Sequence, residues 1–155
     1  MTITQTAARL VAAAGILLAL PNAQAIDAYY NNAEGAIKGY DPVAYFVANQ
    51  PVKGERGIST VWEHTTWYFA SEANKQAFIA NPEKFAPQFG GYCAYGVSQG
   101  YAPQTDPTAY TVVDGKLYLN YNHTVSDKWN ADRDGFIALA RQNWPALKAG
   151  DKVDK

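Results

Sequence analysis

The chain has 155 residues, 48% apolar and 17% charged, with 13 Lys and Arg set against 14 Asp and Glu. That length holds one domain with a buried core and is too short for two ordinary ones, and the composition excludes a disordered chain or a coiled coil. Near-neutral charge with no basic run argues against a nucleic-acid partner, while one Cys and one Met leave little sulfur chemistry beside eleven Tyr, six Phe and four Trp.

Residues 1–25 read as an export signal: Arg9, an apolar run from Leu10 to Leu20, Pro21, and the small-x-small triplet Ala23-Gln24-Ala25. The run falls well short of the ~20 apolar residues that cross a bilayer, so stable membrane insertion is not expected. Cleavage after Ala25 sends the mature chain to a periplasmic or secreted location. Such compartments favour disulfides, but Cys93 has no partner in its own chain. Residues 26–38 form an N-terminal arm of weak period, expected on the surface. In Gly39-Tyr40-Asp41-Pro42-Val43-Ala44-Tyr45-Phe46, Asp41 is placed to cap a short helix that Pro42 opens, turning Tyr45 and Phe46 to the core. Gln50 to Gly57 reads as a loop.

Ile58–Glu63 and Thr66–Ala70 are rich in β-branched and aromatic residues and predict a hairpin across a His64-Thr65 link. Ser71 then caps a helix over Glu72–Ala80, with Ala73, Ala77, Phe78 and Ala80 as its buried side. Asn81-Pro82 stops that helix and starts a further turn through Phe85. The glycines of Phe89-Gly90-Gly91-Tyr92-Cys93-Ala94-Tyr95-Gly96 predict a tight, unusual backbone. The clearest local signal is a second hairpin, Ala109–Val113 and Lys116–Tyr121 about the turn pair Asp114-Gly115. Helical segments follow over Val125–Trp129 and Asp132–Trp144, the latter with Phe136, Ile137, Leu139, Ala140 and Trp144 on one face and Pro145 as its end. Residues 148–155 form a polar tail. The expectation is an α+β fold: a small single domain with two β-hairpins, short helices and a C-terminal amphipathic helix.

The residue inventory limits the chemistry. A structural zinc site of four Cys or two Cys and two His needs ligands that the chain lacks, and thioether coordination of cuprous ion is out because Met1 leaves with the signal. One mononuclear set remains: Cys93, His64 and His123, which suit copper or zinc if they converge. Each imidazole is more simply read as a solvated polar residue, and Cys93 as a buried small hydrophobe. If Gly90-Gly91 precedes a helix, the thiol sits in its first turn, where backbone N–H groups lower its pKa and favour ligation or oxidation. Nothing local ties a histidine to Cys93, which sets a hydrolase aside, and no phosphate loop or organic cofactor motif is present. Tyr92, Tyr95, Tyr101, Tyr110, Tyr118 and Tyr121 could line a groove for a small molecule or glycan, although packing is their commoner use.

Several of these runs, taken in order, resemble a YHS domain, a small module of the heavy-metal trafficking and sensing superfamily: Gly39–Phe46, Trp67-Tyr68-Phe69-Ala70-Ser71, Phe78 and Asn81-Pro82-Glu83-Lys84-Phe85. Pro87–Ala94 and Val113–Asn120 are similar to the exported bacterial branch termed YHS domain-containing (seleno)proteins, and the likeness spans nearly all of the mature chain, with 39–147 as the YHS-like domain. The resemblance implies metal handling, yet the three cysteine positions of metal-handling modules hold Ala44, Ala70 and Asn74 here. It also implies that Cys93 stands where some relatives carry selenocysteine. Three functions stay open. The first is an exported binder of a soft or borderline metal, copper before zinc, through Cys93 with His64 or His123. The second is a thiol redox protein acting on a partner through Cys93. The third is a non-catalytic scaffold for a ligand or protein partner.

Overall fold

The computed structural model describes residues 25–151. The signal segment therefore lies, apart from Ala25, outside the described residues, as do residues 152–155 of the tail. The fold is the expected small α+β mix, built on three two-stranded antiparallel sheets. They pair β1 (Asn31–Asn32) with β2 (Gly35–Ala36), β3 (Glu55–Trp62) with β4 (Thr65–Phe69), and β5 (Asp106–Val113) with β6 (Lys116–Asn120). The helices are α1 (Ala44–Val47), α2 (Glu72–Ala80), α3 (Pro82–Phe85), α4 (Ala94–Ser98), α5 (His123–Ala131) and α6 (Arg133–Ala149).

Both long hairpins turn on two residues with positive φ, Glu63 and His64 in the first, Asp114 and Gly115 in the second. A turn of that hand matches the twist of the strands it joins. The first turn therefore falls one residue earlier than the expected His64-Thr65 link. Glu55–Gly57, read as loop, joins β3, whose pairing slips between Glu55 and Ser59. Side-chain caps set five helix starts: Ser71 accepts from Asn74 N, Asn81 from Lys84 N, Cys93 from Gly96 N, Asn122 from Val125 N and Asp132 from Gly135 N. On α2 only Phe78 is fully buried; Ala73 and Ala80, expected inside, are exposed.

Strand β6 joins the two halves of the core. Its period of two sends Leu117 and Leu119 to one side, where they meet Tyr45, Trp67, Phe69, Phe78 and Phe85. Tyr118 points the other way, onto Trp129, Val97, Ile137, Ala140 and Leu147. Every one of its residues except Lys116 is buried. The arm is more than a surface strap: Ala36 and Ile37 enter the first cluster, Tyr29 packs on Trp62 and Trp67, and Ile26 and Tyr30 pack against the second.

Helix α6 runs through Pro145 to Ala149 and ends on Gly150 in the left-handed conformation. Proline was expected to stop it. The lost N–H is offset by burial of Leu147 one half-turn later, a residue the helix must extend to place. The buried stripe is accordingly Ile137, Ala140 and Leu147, flanked by the half-buried Phe136 and Trp144, while Leu139 is 45% exposed.

Candidate functional site

Cys93 is the N-cap of α4, and its Sγ, 1% exposed as a residue, accepts a hydrogen bond from Gly96 N at 3.4 Å. The thiol donates to Asn120 Oδ1 at 3.6 Å, and Tyr95 N donates to the same oxygen at 3.1 Å. Burial pushes the Cys93 thiol pKa up, against the opposing pull of the backbone N–H groups of Gly96, Tyr121 and Tyr95. The helix N-terminus lies where the glycine pattern placed it, but desolvation wins, and the expected lowering of the pKa is reversed. The short helix α4 offers one turn of donors, too few to offset removal of the sulfur from water.

The two imidazoles lie elsewhere on the surface. His64 is exposed in the β3–β4 turn. His123 opens α5, also exposed, with Nε2 at 3.1 Å from Thr108 Oγ1, which in turn donates to Asp106 Oδ1 at 2.8 Å. Among the described residues no three His, Cys, Asp or Glu side chains gather into a group that could hold a metal ion. Cys93, His64 and His123 are therefore not gathered into such a group. The six tyrosines do not share a groove either. Tyr92 and Tyr118 are buried, Tyr110 packs on Tyr45 and Tyr95 on Phe136, and Tyr101 and Tyr121 are exposed.

A buried carboxylate organises the other half of the molecule. Asp41 is fully buried; its Oδ1 accepts from Val43 N (2.8 Å) and Ala44 N (3.3 Å), and its Oδ2 from Ala70 N (2.8 Å) and Asn74 Nδ2 (2.7 Å). Asp41 does serve N–H groups at the start of α1 as expected, but the helix begins at Ala44 and not at Pro42. Sequence gave no sign that the second oxygen ties α1 to the end of β4 and to α2. Ala44, and Ala70 and Asn74 from some thirty residues on, thus meet around one carboxylate.

The structure also contains a cleft of about 440 Å³ between the arm, the β3–β4 turn, α3 and α6. Its aromatic residues are Tyr29, Trp62, Phe89 and Trp144, and its charged residues are Glu63, Glu83, Arg141 and Lys148. Tyr29 reports the acidic side: burial first, then the charges of Glu63 and Glu83, raise its phenol to about 12. The floor is a strained loop. Phe89 holds φ 52 and Gly90 φ 61, and a Cβ at Gly90 would meet Ala28 O at 2.2 Å, so this close approach of the arm requires glycine. Tyr30 N donates to Gly90 O at 2.7 Å, which fastens the arm there. Sequence reasoning missed this cleft for a specific reason. Arg141, Trp144 and Lys148 share one side of α6 by helical spacing, but ending that helix at Pro145 put Lys148 in a tail. A second cleft of about 450 Å³, with Thr105 and Tyr121 in its lining, approaches the surroundings of Cys93 without opening the sulfur to solvent.

Comparison of the chain with protein-family models, with curated proteins and with solved structures returned no match.

Proposed function

We propose that the protein is an exported YHS-type module that binds a ligand without transforming it, and in which Cys93 serves as a helix cap. The observation that carries this reading is the state of the sulfur: 1% exposed, hydrogen-bonded from Gly96 N, and raised in pKa by burial. A nucleophile or metal thiolate needs the opposite setting, an accessible sulfur with a lowered pKa. The meeting of Ala44, Ala70 and Asn74 on Asp41 supports the family reading, because these are the three positions at which the resemblance places cysteine ligands. Amide donors and a carboxylate occupy that place here, so the metal chemistry of such modules is not carried over.

Titration of the mature protein with zinc or cuprous ion, followed by thermal unfolding, tests the reading. The expected result is an unchanged Tm in both the wild type and Cys93→Ser. A saturable rise in Tm in the wild type that disappears in Cys93→Ser would restore the metal-binding function.

One observation favours a second reading. Three backbone N–H groups, of Gly96, Tyr95 and Tyr121, are disposed to stabilise negative charge at the sulfur, and the same donors would stabilise a sulfenate if oxidant reached it. Intact mass after peroxide treatment separates the two: no added oxygen on Cys93 supports the cap, and a single added oxygen absent from Cys93→Ser supports the thiol function.

A further inference from the structure

The aromatic cleft carries charge of both signs that does not neutralise itself. Arg141 and Lys148 stand on α6, while Glu63 stands on the β3–β4 turn and Glu83 on α3. Among the described residues the ion pairs are Lys53–Glu34 and Lys75–Glu72, so neither cleft carboxylate is bridged to Arg141 or Lys148. The acids come from the β3–β4 turn and α3 and the bases from α6, where Arg141 also hydrogen-bonds Tyr118, so the lining carries both signs on separate elements. The same lining carries aromatic rings: Tyr29 and Trp62 are 5.0 Å apart at 44°, a tilted pair in the lining with Glu63 and Glu83, and Trp144 comes between Arg141 and Lys148 along α6. Aromatic faces backed by carboxylates suit an organic ammonium, which is attracted to the ring quadrupole and sheds water easily. The guanidinium and ammonium groups of α6 suit phosphate or carboxylate. About 440 Å³ is in the range of small-molecule sites.

We propose that this cleft binds a small zwitterion of the phosphocholine type, its quaternary ammonium on Tyr29 and Trp62 beside Glu63 and Glu83, its phosphate on Arg141 and Lys148. The proposal names the ligand class for the binding function above and rests on that reading. Either a free solute or a lipid headgroup presents this chemistry, and both call for the same four charges.

The experiment is titration of the mature protein with phosphocholine, followed by tryptophan fluorescence and calorimetry, with choline chloride and inorganic phosphate as single-charge probes and phosphatidylcholine vesicles as the lipid arm. Expected is saturable one-to-one binding, with choline and phosphate each at least tenfold weaker. Lys148→Gln and Glu83→Gln, both at exposed positions, should each weaken phosphocholine about tenfold while leaving Tm unchanged. Trp62→Leu should abolish binding, but Trp62 also packs on Trp67 and Phe78, so the two charge variants keep the test independent of folding. Binding of the free solute alone or of vesicles alone supports the site and assigns the source. No saturable binding in either arm, or equal affinity for phosphocholine and one of its halves, overturns the proposal. A reactive Cys93 would defeat the binding-module reading without touching these titrations, and failed titrations with Cys93 inert would defeat only the ligand assignment.

Discussion

Asp41 and Cys93 show how much a single side chain was able to announce. Asp41 before Pro42 signalled a cap, because an acceptor at that place satisfies free N–H groups at a helix start. Its second oxygen serves Ala70 N and Asn74 Nδ2, partners about thirty residues on that no local pattern identifies. Removing the carboxylate leaves buried donors on three elements without an acceptor. Asp41→Ala should therefore cost about 3 kcal/mol, and Asp41→Asn less, since one oxygen still faces Val43 and Ala44. Urea unfolding checks both, and a loss under 1 kcal/mol for Asp41→Ala would contradict the linking role. For Cys93, the simpler reading as a buried small hydrophobe holds, and what the sequence did not show is the set of partners, Asn120 and Tyr121, arriving from β6 and its following turn. A lowered thiol pKa was a sound local inference that long-range packing reversed.

Among the elements, hairpins and caps were legible because their chemistry is local. Asp114-Gly115 supplies two positive φ values on its own, and Ser71 and Asn81 each find their donor within three residues. Helix α6 was misjudged at Pro145 because the rule that proline ends helices omits what lies beyond it. There, Leu147 is buried at 8% exposure and repays the missing hydrogen bond. If so, the proline is tolerated at a cost, and Pro145→Ala should stabilise the protein by about 1 kcal/mol by restoring a donor to the Arg141 carbonyl. The urea midpoint should rise with an unchanged m-value; an unchanged or lower midpoint would mean that proline's rigidity in the unfolded chain already offsets the lost bond. The missed continuation also hid Lys148, and with it the basic wall of the aromatic cleft.

At the scale of the whole molecule, β6 buries alternate residues in two clusters, and the arm touches both, so the halves share a strand and a strap. The α+β class was readable from periodicity alone. The clustering was not, because it depends on which element each aromatic ring meets. The same limit applies to the metal set: the inventory reduced the candidates to Cys93, His64 and His123, and only the fold places the two imidazoles in surface segments apart from a sealed sulfur. The capping role of Cys93 depends on that seal. Its most direct test is the rate at which an aromatic disulfide reagent modifies Cys93 at pH 7 across a urea series. A capping thiol reacts only through unfolding, so the rate should be negligible in native buffer and should rise in step with the unfolded fraction. Complete modification within minutes in the absence of urea, with the fold intact by circular dichroism, would contradict the account and return the protein to thiol chemistry.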